Sequence, residues 1–219
     1  MIKLNKRLSV VASFVKDNSS VLDVGCDHAH LSIYLSQTLK NIKVTATDVN
    51  PNPLKIAREN IEKYHLESII KLKQTDGIND IDENIDIVII SGMGGILISD
   101  IINKKENLVN VSSLILSPNN EFTRVRKTLN KIHYQIVKEE IVIENKKTYL
   151  VLLAVPSSIK NNVMFGTLKN NDLNVIYYYT NLLNKNTSIL KKIPHSNILR
   201  RIKIKQENKK IRKFLSKKS

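Results

Sequence analysis

The sequence has a single cysteine, Cys26, so no disulfide can close within the chain, and a cytoplasmic protein is the expectation. No run of 18 or more apolar residues occurs, which excludes a transmembrane helix, and no membrane partner is expected. The opening Met1-Ile2-Lys3-Leu4-Asn5-Lys6-Arg7 is basic, but neither an apolar core nor a small-residue cleavage site follows it, so no secretory leader is expected. Acids are also scarce in one region. From Pro156 onward there are two, Asp172 and Glu207, against 15 lysines and arginines, whereas the first 155 residues hold 20 basic and 18 acidic residues. Overuse of lysine throughout would not remove acids from the last third alone. A basic segment beside a near-neutral domain points to a polyanion partner.

What remains is ample for folding: 219 residues, 42% of them hydrophobic, suffice for one full core plus an appendage. Leu4, Leu8, Val11, Phe14 and Val15 predict an opening amphipathic helix. Strands are expected at 21–24, 42–47, 69–72, 86–90 and 114–116, with helices through Leu31–Leu39, Leu54–Tyr64, Ile96–Ile102 and Phe122–Leu129. Asn50 is placed as an N-cap before Pro51. Strands at 134–143 and 148–155 flank a hairpin turn at Glu144-Asn145-Lys146-Lys147. Strand–helix alternation, taken as fivefold, demands right-handed crossovers and a parallel sheet. The terminal hairpin adds one antiparallel strand. The expected fold is therefore α/β, a Rossmann-like, seven-stranded, mostly parallel sheet over residues 1–156. Residues 157–219 are expected to form a basic, coiled-coil-like helical hairpin, with Leu173 to Leu190 on one helix, Pro194 as the break, and Ile198 to Leu215 on the other. Ser157 to Asn162 is read as the linker.

The loop after the first strand reads Asp23-Val24-Gly25-Cys26-Asp27-His28-Ala29-His30. Gly25 permits close backbone approach to a ligand at a helix N-terminus. A dinucleotide fingerprint needs G-x-G-x-x-G, but Asp27 and Ala29 stand where the second and third glycines belong. A carboxylate repels a pyrophosphate and attracts a sulfonium and an α-ammonium, so Asp27 favours S-adenosylmethionine over NAD. Asp48 ends the second strand, about 20 residues beyond the turn, where an acid accepts from ribose hydroxyls. Asp76 ends the third strand and can accept from an adenine amine beside Gly77; a plain Asp-Gly turn is the alternative. Ser91-Gly92-Met93-Gly94-Gly95 holds three of the chain's six glycines at the end of the central strand, where open α/β sheets bind ligands. The polar-Pro-Pro-aromatic loop of enzymes acting on exocyclic amines is missing there, and glycines leave room for a flipped base. Cys26, His28 and His30 lack a second cluster to complete a metal site, so no metal is expected. A serine-hydrolase elbow is absent.

Lys6-Arg7-Leu8, Asp23 through Leu31, Asp76-Gly77, Gly92-Met93-Gly94-Gly95, Leu116-Ser117-Pro118-Asn119 and Glu144 through Tyr149 occur in that order. Together they resemble the bacterial tRNA (adenine-22-N1)-methyltransferase family, over about residues 4 to 155, with a weaker match at Phe165-Gly166 and in the terminal helices. The chain departs from the family pattern at Ser117, often Gln; at His30-Leu31-Ser32, often Tyr-Leu-Pro; and at Asn145-Lys146-Lys147, usually Asp/Glu-Gly-Lys. The resemblance implies a catalytic Rossmann-like domain and a helical domain, S-adenosylmethionine as cofactor, and tRNA as partner. The expected cofactor residues are Asp23, Gly25, Cys26, Asp27, His28, Asp48, Val49, Asn50, Asp76, Gly77, Gly92 and Met93, with Asp27 also catalytic. Expected substrate contacts are Arg7, His28, Gly94, Gly95, Ser117 and Asn119. Lys191, Lys192, Arg200, Arg201, Lys203, Lys205, Lys209, Lys210 and Arg212 are expected to hold phosphates. The chain is expected to act as a monomer. Three other readings stay open: a methyltransferase for another RNA or a protein, a dehydrogenase, and a non-catalytic RNA-binding protein.

Overall fold

The structure, a computed structural model, describes residues 1–79, 82 and 84–217. Seven strands form one sheet in the order β3-β2-β1-β4-β5-β7-β6. They are β1 Ser20–Val24, β2 Lys43–Asp48, β3 Ile70–Gln74, β4 Ile87–Ser91, β5 Ser113–Ser117, β6 Tyr134–Glu144 and β7 Lys147–Pro156. β1 to β5 are mutually parallel, and β7 enters antiparallel between β5 and β6. The hairpin turn closes on Asn145 and Lys146, both left-handed at φ 49° and 63°. Two successive left-handed residues match the twist of a tight hairpin.

The helices are α1 Lys6–Ala12, α2 His30–Thr38, α3 Pro51–Lys63, α4 Gly95–Ile102, α5 Phe122–Lys131, α6 Leu173–Lys192 and α7 Ile198–Leu215. Asn5 caps α1 by accepting from the Leu8 amide at 2.8 Å. Asn50 occupies the N-cap position of α3, but its side chain makes no capping bond; its amide instead donates to Asp48 Oδ1 at 2.9 Å. The alternation is not fivefold, because no helix separates β3 from β4 among the described residues. That connection, residues 75–86, is rich in Asp and Asn, which favour turns over helix interiors. A 3-10 turn at Lys105–Leu108 had no signal in the sequence.

The core lies on both faces of the sheet. Ile89, Ile90, Leu114, Ile115 and Leu116 of the central strands have no exposed surface. None of the helices is long and apolar enough to cross a membrane, among the described residues.

The chain divides into two compact units, Met1–Thr167 and Leu168–Ser219, so the division follows Thr167 rather than residue 156. The stretch read as a linker is bonded into the first unit. Asn161 donates to the Tyr134 carbonyl at 2.8 Å and accepts from the Ile136 amide at 2.6 Å. Further on, Arg126 donates to Glu139 at 2.8 Å and to the Met164 carbonyl at 2.9 Å, while Glu139 accepts from the Thr167 amide at 2.6 Å. Arg126 and Glu139 are buried, and residues 164–167 supply each of them with a further partner, although Arg126 Nη2 is buried without one.

The second unit is a helical pair, α6 and α7. Its buried seam matches the apolar stripe expected from sequence in part, at Tyr179 and Ile211. Leu173, Ile198, Leu199 and Ile202 are exposed, and the buried positions are Val175, Tyr179, Asn186, Ile193, Asn208 and Ile211. Tyr179 meets Phe214 edge-on at 5.4 Å between ring centroids. Asn186 donates to Asn208 at 2.9 Å and to Glu207 at 3.0 Å, a polar contact that fixes the register of the two helices.

Candidate active site

A cavity of about 460 Å³ opens at the carboxyl ends of the parallel strands, within the range of small-molecule sites. The turn after β1 forms its floor. Three successive alternate positions of that turn are left-handed: Gly25 at φ 70°, Asp27 at 52° and Ala29 at 58°. Two of these carry a Cβ, which costs of order 1 kcal/mol each and marks a backbone shaped for something other than stability. Ala29 is the N-cap of α2 and supplies no side-chain acceptor, so the first amides of that helix are left for other partners. A Cβ on Gly25 would fall 2.2 Å from the Met93 Cε, so the β1 and β4 loops touch here because residue 25 is glycine. Asn60 donates to the His28 carbonyl at 3.0 Å and pins the turn from α3.

Four carboxylates line the cavity: Asp23, Asp27, Asp48 and Asp76. Asp23 is buried, accepts from the Ser32 hydroxyl at 2.6 Å, and is pushed up to about 6 by burial, partly offset by that hydrogen bond. Asp27 sits at the mouth, its side chain 76% exposed and 3.5 Å from His28 Nε2. Asp48 has Oδ1 engaged by the Asn50 amide. Burial and the neighbouring acids push the Cys26 thiol far up, so it stays protonated and is no nucleophile. Among the described residues, no three His, Cys, Asp or Glu side chains cluster as a metal site.

The lowered acidity of Asp23 has a stability consequence. The folded state holds this proton more tightly than the unfolded chain does. Its stabilising contribution is complete below about pH 4 and is lost as the pH rises through about 6. Asp23→Asn is therefore expected to be more stable than the native chain at pH 8, by up to about 3 kcal/mol. The gap should close towards pH 4. Urea unfolding at the two pH values measures this, and a gap that does not depend on pH would overturn it.

Every residue expected at the cofactor lines this cavity: Asp23, Gly25, Cys26, Asp27, His28, Asp48, Val49, Asn50, Asp76, Gly77, Gly92 and Met93. Arg7 lines it too. Gly94, Gly95, Ser117 and Asn119, expected at the substrate, do not line it, and of these Gly95 and Ser117 are buried. Gly94 and Gly95 open α4 beneath the β5–α5 loop, where Asn120 Oδ1 accepts from the Gly95 amide at 3.0 Å. Asn119 donates to the Gly92 carbonyl at 2.6 Å and holds the glycine loop in place. Ser117 is wholly buried. Gly77, also on the cavity, is tightly packed. A Cβ there would press on Ile101 at 3.2 Å, so glycine serves packing and a φ of 62°.

Thr75, Ser91, Leu97 and Ile101 line the cavity without having been expected there. Ser91 was legible as the residue entering the glycine loop. Ile101 gave no signal, because its helix reads as ordinary core.

In the second unit, Lys191, Lys192, Arg200, Lys203, Lys205, Lys209, Lys210 and Arg212 are exposed. Arg201 is only partly exposed. Its Nη1 donates to the Leu190 and Ile193 carbonyls, both at 2.8 Å, and so closes the end of α6. Lys213 is exposed one turn beyond Lys209 and joins the same surface; the i, i+4 spacing carried that signal.

Residues 4–152 match the family model described as a methyltransferase domain. Over 155 residues, 70% of this chain and 65% of the relative, the sequence is 36% identical to tRNA (adenine(22)-N(1))-methyltransferase of Bacillus subtilis. The aligned stretch thus spans slightly under two thirds of that relative's length. A Streptococcus agalactiae protein of the NADB-Rossmann superfamily superposes with a TM-score of 0.91 at 33% identity, covering 98% of each chain. M. capricolum TrmK, solved with S-adenosyl-homocysteine, gives a TM-score of 0.86 at 28% identity, covering 97% of each chain.

Proposed function

This chain belongs to the methyltransferase-domain family, and we propose that it methylates N1 of an adenine in tRNA, adenine 22 by similarity to its relatives, with S-adenosylmethionine as methyl donor. The observation that carries this reading is the acid-lined cavity at the strand ends, built on a turn with a single glycine. Such a pocket suits a cation and repels a diphosphate. Bound there, the cofactor supplies an electrophilic methyl group on a sulfonium.

The residues present fit that cofactor. Ionised Asp23 meets an α-ammonium at the floor, and Asp48, with one oxygen already engaged, offers the other to ribose hydroxyls. Val49, 56% exposed and apolar at the rim, offers a flat surface to an adenine ring. Asp76 lies beside it to accept from the ring's amine.

N1 of adenine has an in-plane lone pair and no proton at neutral pH, so no general base is required. The protein's task is to align donor and acceptor, which contributes about 7–11 kcal/mol in well-oriented systems. The methylated base becomes cationic. Asp27, at the cavity mouth, is the carboxylate available to stabilise that charge. N1 lies on the Watson–Crick edge, so the base must be unpaired or flipped to react. The exposed lysines of the second unit hold the folded RNA by its phosphates, reading shape rather than sequence.

Incubation of the full chain with unmodified tRNA and S-adenosylmethionine, followed by nucleoside mass spectrometry, should yield 1-methyladenosine, mapped to the D-arm region. N6-methyladenosine, or methyl groups absent from tRNA, would reject the reading.

A further inference from the structure

The β6–β7 hairpin stands at the same edge of the sheet as the cavity. β7 runs antiparallel to β5, and β6 antiparallel to β7, so β6 ends at the carboxyl end of the parallel strands. Leu116 pairs with Leu152, and β7 begins at Lys147, five residues earlier. The hairpin therefore rises roughly 16 Å past the level of Leu116. Its tip is fastened to the cavity wall. Glu144 Oε1 accepts from the Lys6 amide at 2.8 Å, and the next residue, Arg7, lines the cavity with its guanidinium over the Tyr149 ring at 5.2 Å. Val142 and Val151 of the hairpin share a core cluster with Val11 of α1. Residues 144–147 do not line the cavity, so the tip belongs to its rim.

The tip carries a cation where the backbone disfavours one. Asn145 and Lys146 are both left-handed, at φ 49° and 63°. Asparagine adopts that conformation readily, and glycine is the residue such a turn favours at its second position. Lysine there is strained by its Cβ. Strain retained beside a site points to use rather than to stability. Lys6, Lys146 and Lys147 are exposed, and none of them forms an ion pair among the described residues. The acid amid them, Glu144, already holds the Lys6 amide and lies near Arg7. This part of the rim is thus an excess of positive charge.

A small ligand seated among the strand ends lies below this tip, whereas a polyanion laid across the mouth meets it. We propose that Lys146, with Lys6 and Lys147 beside it, grips backbone phosphate of the RNA next to the base that enters the cavity. This rests on the tRNA reading given above. A base that flips into a pocket leaves its own backbone at the mouth, and a cation at the rim holds the strand where the base turns out. The clamp belongs to the first unit, as the lysines of α7 belong to the second.

The test uses the full chain with Lys146→Gly, which removes the cation and relieves the left-handed lysine together. The urea midpoint should hold or rise. Unmodified tRNA should bind roughly 5- to 10-fold more weakly near 0.1 M salt, and the slope of log affinity against log salt should flatten by about one. In methylation assays the loss should fall on KM for tRNA rather than on kcat, and affinity for S-adenosylhomocysteine should not change. Lys146→Arg keeps the charge and should bind tRNA as the native chain does. Adding Lys6→Ala to Lys146→Gly should flatten the slope by about one more. A Lys146→Gly chain with native tRNA affinity and slope overturns the proposal, and so does weakening of S-adenosylhomocysteine in step with tRNA. Weaker tRNA binding with an unchanged salt slope overturns the phosphate contact. Native chain that neither binds nor methylates tRNA sinks the substrate reading itself, and the clamp with it.

Discussion

Alanine at Lys203, Lys205, Lys209, Lys210 and Lys213 together is expected to lower tRNA affinity by about 10²- to 10³-fold near 0.1 M salt. The estimate follows from counterion release. Each phosphate contact adds close to one unit to the slope of log affinity against log salt, and the expected value takes about three or four of the five exposed lysines to make such contacts at once. The slope should flatten by roughly that number. All five side chains are exposed in α7. The helical pair should persist without them, because its seam is built from Val175, Tyr179, Asn186, Asn208 and Ile211. Affinity for S-adenosylhomocysteine should not change. Binding of labelled tRNA across a salt series measures the effect, and a variant whose slope equals that of the native chain would exclude α7 as the phosphate-binding helix.

Two adjacent glycines should respond by very different amounts. A Cβ on Gly95 would stand 2.4 Å from the Asn120 carbonyl oxygen and 2.9 Å from the Glu121 Cβ, whereas one on Gly94 meets nothing closer than Asn120 Oδ1 at 3.6 Å. The first contact is with backbone, which cannot swing aside. Gly95→Ala is therefore expected to destabilise the first unit by at least about 3 kcal/mol, the upper end for overpacking. It should also displace the loop whose Asn119 holds Gly92. Gly94→Ala should cost only about 0.5–1 kcal/mol as an N-cap change. Denaturation midpoints and S-adenosylhomocysteine titrations of the two variants provide the comparison. Equal stability of the two would contradict the packing described for α4.

The parallel strands were legible because β4 and β5 are continuous apolar runs of β-branched and leucine residues, a pattern that strands covered on both faces must have. The cofactor cavity was legible for a related reason. Its residues follow directly from strand ends, so Asp23, Asp48 and Asp76 are located once the strands are. What failed depends on contacts between segments distant in sequence. Gly95 reads as part of a ligand loop until Asn120 is seen to close over it. Arg201 reads as one more exposed cation until its two carbonyl partners are known. The seam of the helical pair was legible only in part because two asparagines occupy it, and no apolar periodicity announces a buried amide. The division between units was set too early because β7 ends cleanly at Pro156, while the buried Arg126–Glu139 pair, invisible in sequence, draws residues 161–167 back onto the first unit.

The insertion of β7 between β5 and β6 has a bearing on how the chain emerges from the ribosome. β5 is wholly covered in the finished sheet along Leu114, Ile115 and Leu116, yet the strand that covers its outer edge is the last of the seven to be synthesised. Until residues 147–156 have left the exit tunnel, the nascent protein presents an unpaired, strongly apolar strand edge, the kind of surface that recruits chaperones or pairs with a neighbouring chain. Translation pauses before residue 147 would lengthen that exposure, and pauses after Pro156 would not.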